Sequence, residues 1–403
     1  MPVEGRRARS GSLRWPPGFA RRREDRDAAL VLTALRGIAP ARLLELAQTD
    51  RTAGAVLRRI RAGLAGSQND QAAARSLRAG PIAESLASAG ARFVVAGDPE
   101  YPGDVEHLAD PPLALFVRGR PLVPASTRVA IVGARNCSDL GHELAWELGR
   151  ALAGAGVVVV SGAARGIDTA SHEGALDAGG TTVAVLGCGI DAVYPAGSRP
   201  LVDRILGRGS VVSEYPPGVP PDGFRFPARN RIVAALSRAV VVVEGEERSG
   251  SLISAEHALE LGRDVFAVPG AVTNPLSAAP HRLIREGAGL IRGPGDLLDE
   301  LGIDGALEGA LDGPSLPDDE RRALAAVRGA VVPDRVAGRL GVPVPDALAL
   351  LLRLEMRGLV RSVGGRFERT FVPAQPSGRA RAGQAALGRS GRKGRSGGPP
   401  GEA

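Results

Sequence analysis

From residue 93 onward, short runs of Val, Ile, Leu and Ala alternate with longer stretches whose apolar residues recur every three or four positions. The runs predict strands at residues 93–95, 115–117, 129–132, 157–161, 182–186, 210–212, 239–243 and 265–268. The periodic stretches predict helices at 140–152, 169–178, 199–206, 230–236, 252–261 and 280–286. Strands alternating with helices of this length build a parallel sheet covered on both faces. Near-continuous Val runs, in place of in/out alternation, fit strands buried on both sides. The expected core is therefore an α/β unit over residues 93–300.

The flanks follow other patterns. Residues 25–92 are helical and rich in Ala, Leu and Arg, and "LRGIAPARLLEL" (35–46) reads as helix, tight Gly turn, helix. That is the shape of a SAM-like or helix-hairpin-helix unit, which serves packing as readily as contact with a DNA backbone. Residues 1–24 read as a disordered basic arm and 301–316, rich in Gly, Pro and acid, as a linker. Within 317–372, helical stretches at 321–327, 332–340 and 345–357 precede a hairpin at 358–369 that turns on Gly364 and Gly365. Helices followed by a hairpin predict a winged-helix-like unit. The tail, 373–403, is Gly, Ser and Arg with too little to bury, and is expected to stay disordered.

Composition sharpens this picture in two respects. The 403 residues carry a formal net charge of +7, almost wholly from arginine, with Lys393 the only lysine. Each arginine offers a planar, permanently charged fork suited to phosphate, and basic chains favour nucleic acid or anionic surfaces. Aromatics are only 3% of the chain, so the core must rest on aliphatic residues. The two cysteines, Cys137 and Cys188, form no framework or CxxC pair, which fits a reducing compartment. Residues 1–24 lack the apolar region of a signal peptide, and no apolar run approaches the ~20 residues of a membrane helix. A cytoplasmic location is expected.

In an open parallel sheet, ligands bind beyond the carboxyl ends of the strands. The segments at those ends are "GARNCSDLG" (133–141), "SGAARGIDTASH" (161–172) and "EGEERSGSLISAEHA" (244–258). Each is a small-residue turn opening a helix, whose first amides suit an anion. They contribute Gly133, Ala134 and Arg135; Ser161, Gly162, Arg165 and Gly166; and Ser249, Gly250 and Ser251. "FRFPARNRIVAALS" (224–237) adds Arg225, Phe226, Arg229, Asn230 and Arg231 around a further helix start. Several anion-binding turns beside aromatics for stacking suggest a polyanion that carries bases.

Several chemistries lack their residues. Gly133-Ala-Arg is not GxGxxG, and the second strand ends in Ser161 where a dinucleotide fold wants an acid, so no such cofactor is expected. A P-loop needs a lysine, and the one lysine is in the tail. His142-Glu143 and His172-Glu173 have no second His at helical spacing, Ser249 has no GxSxG context, and no triad emerges. Neither a metal site nor a catalytic residue is expected.

The blocks "VAIVGARNCSDLG", "SGAARGIDTASHEGAL", "AVLGCGIDAVYP", "SEYPPG", "FPARNRIVAALS", "VVVEGEERSGSLISAEHALELGRDVFAVPG" and "HRLIREGA" follow one another in the order found in DprA/Smf DNA-processing proteins. The chain closely resembles that family over residues 98–291, and its helical and winged-helix flanks resemble the family's extensions. The resemblance implies an extended Rossmann-like fold that dimerises, binds incoming single-stranded DNA and loads the RecA recombinase in natural transformation. It implies phosphate contacts at Gly133, Ala134 and Arg135 and at Arg229, Asn230 and Arg231, with Arg225 the nearest match to a further basic position. Two departures stand out: "SGAARG" replaces SGLARG, and Ser277-Ala278-Ala279-Pro280-His281 replaces a Gly-containing loop, altering its backbone freedom.

Two other readings compete. The segment 249–256 distantly resembles the loop of nucleotide phosphoribohydrolases, with Glu256 as an acid and Arg135 or Arg165 gripping phosphate, although its Gly-Gly-x-Gly-Thr is absent. A regulator led by the winged helix is the other. Residues 345–357 offer Arg353 and Arg357 against Asp346 and Glu355, a balance that suits an interaction role better than DNA reading.

Overall fold

The computed structural model describes residues 13–122, 127–303, 317–327, 331–356 and 359–369. Two compact units divide the chain, one reaching Asp304 and one beginning at Gly305.

The first unit opens with five helices: α1 (Arg23–Thr33), α2 (Pro40–Asp50), α3 (Ala53–Arg61), α4 (Gln68–Ser76) and α5 (Ala79–Ser88). Two strands follow, β1 (Ala91–Val95) and β2 (Ala114–Gly119). The alternating segment then runs β3 (Arg128–Val132), α6 (Asp139–Gly154), β4 (Val158–Ser161), α7 (Ile167–Asp177), β5 (Thr182–Gly189), α8 (Arg199–Arg208) and β6 (Ser210–Tyr215). It continues with α9 (Arg225–Ala235), β7 (Ala239–Val242), α10 (Gly250–Glu260), β8 (Asp264–Ala267), α11 (Ala278–Arg285), β9 (Gly289–Leu290) and α12 (Pro294–Glu300).

The nine strands form one sheet in the order β1-β2-β6-β5-β4-β3-β7-β8-β9. Strands β3, β5 and β7 are buried along their whole length, as their apolar runs require, with Arg128 and Thr182 buried at the starts of β3 and β5. From β3 the chain winds one way through β4, β5 and β6, then returns to pair β7 on the other side of β3. The loops after β3 and β7 therefore diverge, which opens a crevice at their carboxyl ends.

Several expectations need correction. The sheet is not wholly parallel: β1–β2 and β2–β6 pair antiparallel. The basic arm does not extend to residue 24. Phe19 is buried, the Trp15 indole N–H donates to the Pro111 carbonyl, and only residues 1–12 lie outside the described part. Nor does residue 92 separate two bodies. One apolar cluster joins Leu32, Val56 and Ile60 of the helices to Val95 and Leu113 of the sheet region, and Arg26 of α1 pairs with Asp98 at 2.7 Å. Helix α9 begins at Arg225, five residues before its periodic pattern. Pro227 is tolerated there because first-turn amides lack intrahelical acceptors. The short elements β9 and α12 were too brief to leave a periodicity.

The second unit holds α13 (Asp318–Ala326), α14 (Pro333–Leu340) and α15 (Val344–Met356), followed by β10 (Val360–Val363) and β11 (Arg366–Arg369). The two strands pair as a hairpin. Gly364 and Gly365 turn it with φ of 57° and 75°, the left-handed pair that a two-residue turn demands. Val336, Leu351, Leu354, Val360 and Phe367 form its core. This is a winged helix. Most of the expected linker, 304–316, and all of the expected tail lie outside the described residues.

Candidate nucleic-acid interface

The crevice at β3 and β7 is a cleft of about 310 Å³, joined to a second of about 270 Å³. Arg135, Gly162, Ala164, Phe226 and Arg229 line both, so the two form one trough. Gly133, Ala134, Asn230, Ser249, Gly250 and Ser251 complete much of the first part, and Arg165 faces the second.

The turn after β3 is held from three sides. The Ala134 N–H donates to the Glu244 carbonyl at 2.8 Å, and the Ile167 N–H donates to the Ala134 carbonyl at 3.2 Å. The Ser138 N–H and hydroxyl donate to the Glu244 carboxylate at 2.8 and 2.6 Å. Gly166, with φ of 77°, passes so close to the Ala134 carbonyl that an added Cβ would collide with it. These contacts leave Arg135 exposed at the rim. They also revise the reading of this helix mouth as an open anion site. Ser138 caps α6 by accepting from the Gly141 N–H at 3.0 Å, and the Glu244 charge already sits there.

At the rim the Arg135 guanidinium lies over the Phe226 ring, 5.1 Å from its centroid. Tyr194, half exposed, packs its ring 5.4 Å from that of Phe226. An arginine fork and two aromatic faces thus stand together at the mouth, where the fork can meet a phosphate and the rings a base.

The floor is Arg229, almost fully buried. It donates to the Gly162 carbonyl at 2.8 Å and to the Val185 carbonyl. Asp168 beside it accepts from the Gly162 and Ala164 N–H groups at 3.1 and 3.3 Å. Burial pushes the Asp168 carboxyl up, and the Arg229 charge opposes that rise. Buried His172 is held near pKa 3 by burial and by the same arginine.

Three expected contributors lie elsewhere. Ser161 is completely buried and donates to the Ile131 carbonyl at 2.7 Å. Arg225 is buried between the rings of Phe224 and Tyr215 and donates to the Pro220 carbonyl at 2.8 Å. Arg231 does not line the trough with Arg135. Two residues further along a helix is a rotation of about 200°, which turns it away from Arg229 to Glu214 at 2.8 Å and Asp110 at 3.1 Å. All three carry charge or polarity that the fold consumes internally.

The trough also uses residues that motif reading passed over. Asn136, Glu246 and Arg248 line the first part and Tyr194 the second. Arg248 lies in a loop already singled out, and Tyr194 follows the carboxyl end of β5, so the strand-end rule applied there would have found it. In the departing loop, Ala279 and Pro280 are buried within α11 and Leu276 reaches the cleft. Glu256, the acid of the enzymatic reading, is exposed on α10 and does not line the trough. Among the described residues no group of His, Cys, Asp or Glu could hold a metal ion, and no helix is long and apolar enough to cross a membrane.

Comparison with known proteins places this geometry. A sequence model of the family described as DNA recombination-mediator protein A matches residues 92–302. The chain belongs to that family. A second model, the DprA winged helix domain, matches residues 310–366. Protein Smf of Escherichia coli is 41% identical over 281 residues, covering 67% of this chain and 75% of its own. A putative DNA processing protein DprA of Mycobacterium tuberculosis is 39% identical over 332 residues, covering 77% of this chain and 85% of its own. The X-ray structure of DNA processing protein A from Streptococcus pneumoniae aligns with a TM-score of 0.57 at 34% identity, over 69% of this chain and 95% of that one. The recombination-mediator match covers all of the nine-stranded sheet except Ala91, and with it every residue of the trough.

Proposed function

We propose that this protein binds single-stranded DNA along the trough and hands it to the RecA recombinase in natural transformation, acting in the cytoplasm as a homodimer without chemistry on the strand. The observation that carries the reading is the exposed Arg135 guanidinium over Phe226, with Tyr194 beside it. An arginine alone would suit any phosphate. An arginine over one aromatic ring, with a second ring packed beside it at an open cleft, suits a phosphate whose base is unpaired and free to stack. A duplex hides its base faces, so the rings discriminate for single strands.

Exposed Arg135, Arg165 and Arg248 supply the charge along the trough, with Arg229 beneath. Hydroxyls of Ser249 and Ser251 and the amides of Asn136 and Asn230 are suited to sugar and phosphate oxygens. The DNA-processing names of the relatives and the family resemblance support the same assignment; delivery to RecA, transformation and dimerisation rest on the resemblance alone.

The test is fluorescence anisotropy with a labelled oligothymidylate across a salt series, with duplex of equal length as competitor. Tight binding that weakens with salt and resists duplex supports the proposal. Preference for duplex, or binding indifferent to Arg135→Ala, overturns it. RecA filament assembly on strands coated with single-stranded-DNA-binding protein, with and without this protein, tests the hand-over.

A further inference from the structure

The trough suits a polyanion, yet among the described residues two acids line it, Asp168 and Glu246. Asp168 is buried, and its carboxylate is occupied by the Gly162 and Ala164 amides. The nearby Glu244 carboxylate is occupied in the same way, by the Ser138 N–H and hydroxyl. Glu246 differs. It is exposed, and among the described residues its carboxylate has no hydrogen-bond or ion-pair partner. Arg248 lines the same part of the trough without pairing to it. The backbone on either side is held. The Gly245 N–H donates to the Leu276 carbonyl at 2.6 Å, and the Ala279 N–H donates to the Gly245 carbonyl at 2.9 Å. The Ser249 N–H donates to the Glu246 carbonyl at 2.9 Å, closing the turn that opens α10. A pinned turn thus brings two unoccupied carboxylate oxygens to the trough wall.

A carboxylate repels phosphate, and it carries acceptors but no donor. In a bound strand the groups it can meet favourably are the N–H groups on base edges. We propose that Glu246 reads the bases of the strand, favouring cytosine over thymine or uracil. The 4-amino group of cytosine donates, whereas the 4-oxo group of the other two only accepts. Glutamate accepting from cytosine N4 is a recognised pairing of side chain and base. The inference rests on the single-strand reading above and adds to it. Aromatic faces stack on any base, so Phe226 and Tyr194 supply affinity with little choice between bases. Arg135 and Arg248 answer the phosphates, which are the same in every nucleotide. Glu246 is the lining group whose chemistry distinguishes one base edge from another. Adenine and guanine carry amino groups as well, but the pyrimidines isolate the effect because their rings are of one size.

The experiment is fluorescence anisotropy at about pH 7.5 with labelled oligodeoxycytidylate and oligodeoxyuridylate of equal length. It compares the full-length protein with its Glu246→Gln and Glu247→Gln variants. The unaltered protein should bind the cytidylate about fivefold more tightly, the low end for one side chain reading a base. Glu246→Gln, whose amide donates as well as accepts, should bring that ratio close to one, chiefly by tightening the uridylate. Glu247→Gln removes the same charge from an exposed neighbour that does not line the trough, and should keep the ratio. Equal binding of the two strands by the unaltered protein, or a preference that survives Glu246→Gln, overturns the proposal and leaves single-strand binding standing. Equal tightening of both strands in Glu246→Gln reduces the residue to a repelling charge and overturns it too. Binding of neither strand by the unaltered protein overturns the single-strand reading and this inference together.

Discussion

Arg229 and Arg231 leave the same helix on different sides: Arg229 forms the floor of the trough, and Arg231 is locked to Glu214 and Asp110 behind it. Two arginines of one motif thus do two jobs. One faces the trough and one fastens the helix to Glu214 of β6 and to Asp110.

That division separates two substitutions. Arg135→Ala removes an exposed fork at the rim. It should weaken single-strand binding and make the log–log salt slope shallower by about 0.7, the share of one phosphate. Arg231→Ala leaves Glu214, its side chain only 12% exposed, without its partner, a change that costs up to about 3–5 kcal/mol in stability. Denaturant melts and salt-dependent anisotropy on both variants check this. A slope change for Arg231→Ala in a folded protein would contradict it.

Phe226→Ala removes a stacking face without removing charge. Affinity for single strands should fall by about 1–3 kcal/mol for each base that loses its platform, with the salt slope unchanged. Phe226→Trp should retain binding. The same anisotropy titrations decide it.

Gly166→Ala forces a side chain into a left-handed position and against the Ala134 carbonyl. Backbone strain alone costs about 1–3 kcal/mol, and relief requires moving the turn that presents Arg135. Both the melting temperature and DNA affinity should drop. Gly154→Ala, in open space on α6, should lower neither.

Acid should weaken the fold through His172. Thr182 donates its hydroxyl to the Val159 carbonyl, so the His172 Nδ1–H donates to Thr182 Oγ1 at 2.6 Å and the ring is neutral. Its folded pKa, near 3, is below the ordinary 6.5. The unfolded chain therefore binds the extra proton first. The contribution is whole above about pH 6.5 and falls by about 1.4 kcal/mol for each pH unit below it. Urea midpoints between pH 7.5 and 4.5 should decline, and His172→Gln should flatten that decline.

Much of this was legible along the chain. Strands such as 129–132 and 239–243 announced themselves because a strand buried on both faces must be apolar throughout. The glycine pair at 364–365 marked its turn because other residues resist positive φ at both positions. The strand-end turns located the trough, since a doubly wound sheet leaves its crevice there. What stayed hidden was direction. Arginine has the same letter whether its fork meets solvent, as at 135, a carbonyl, as at 225 and 229, or a buried acid, as at 231. The partners that decide are remote: Glu214 is 17 residues from Arg231, and Asp110 is 121.

The sequence by itself determined most element types, the alternating α/β core of the sheet, the winged helix and the strand-end turns that line the trough, because these follow from local periodicity and backbone preference. Only the tertiary structure decided which charges remain available for a ligand. Burial and pairing depend on residues far apart in the chain: Arg225 and Arg231 are drawn into internal contacts, and Arg135, Arg165 and Arg248 keep their forks exposed along the trough, Arg135 over the ring of Phe226.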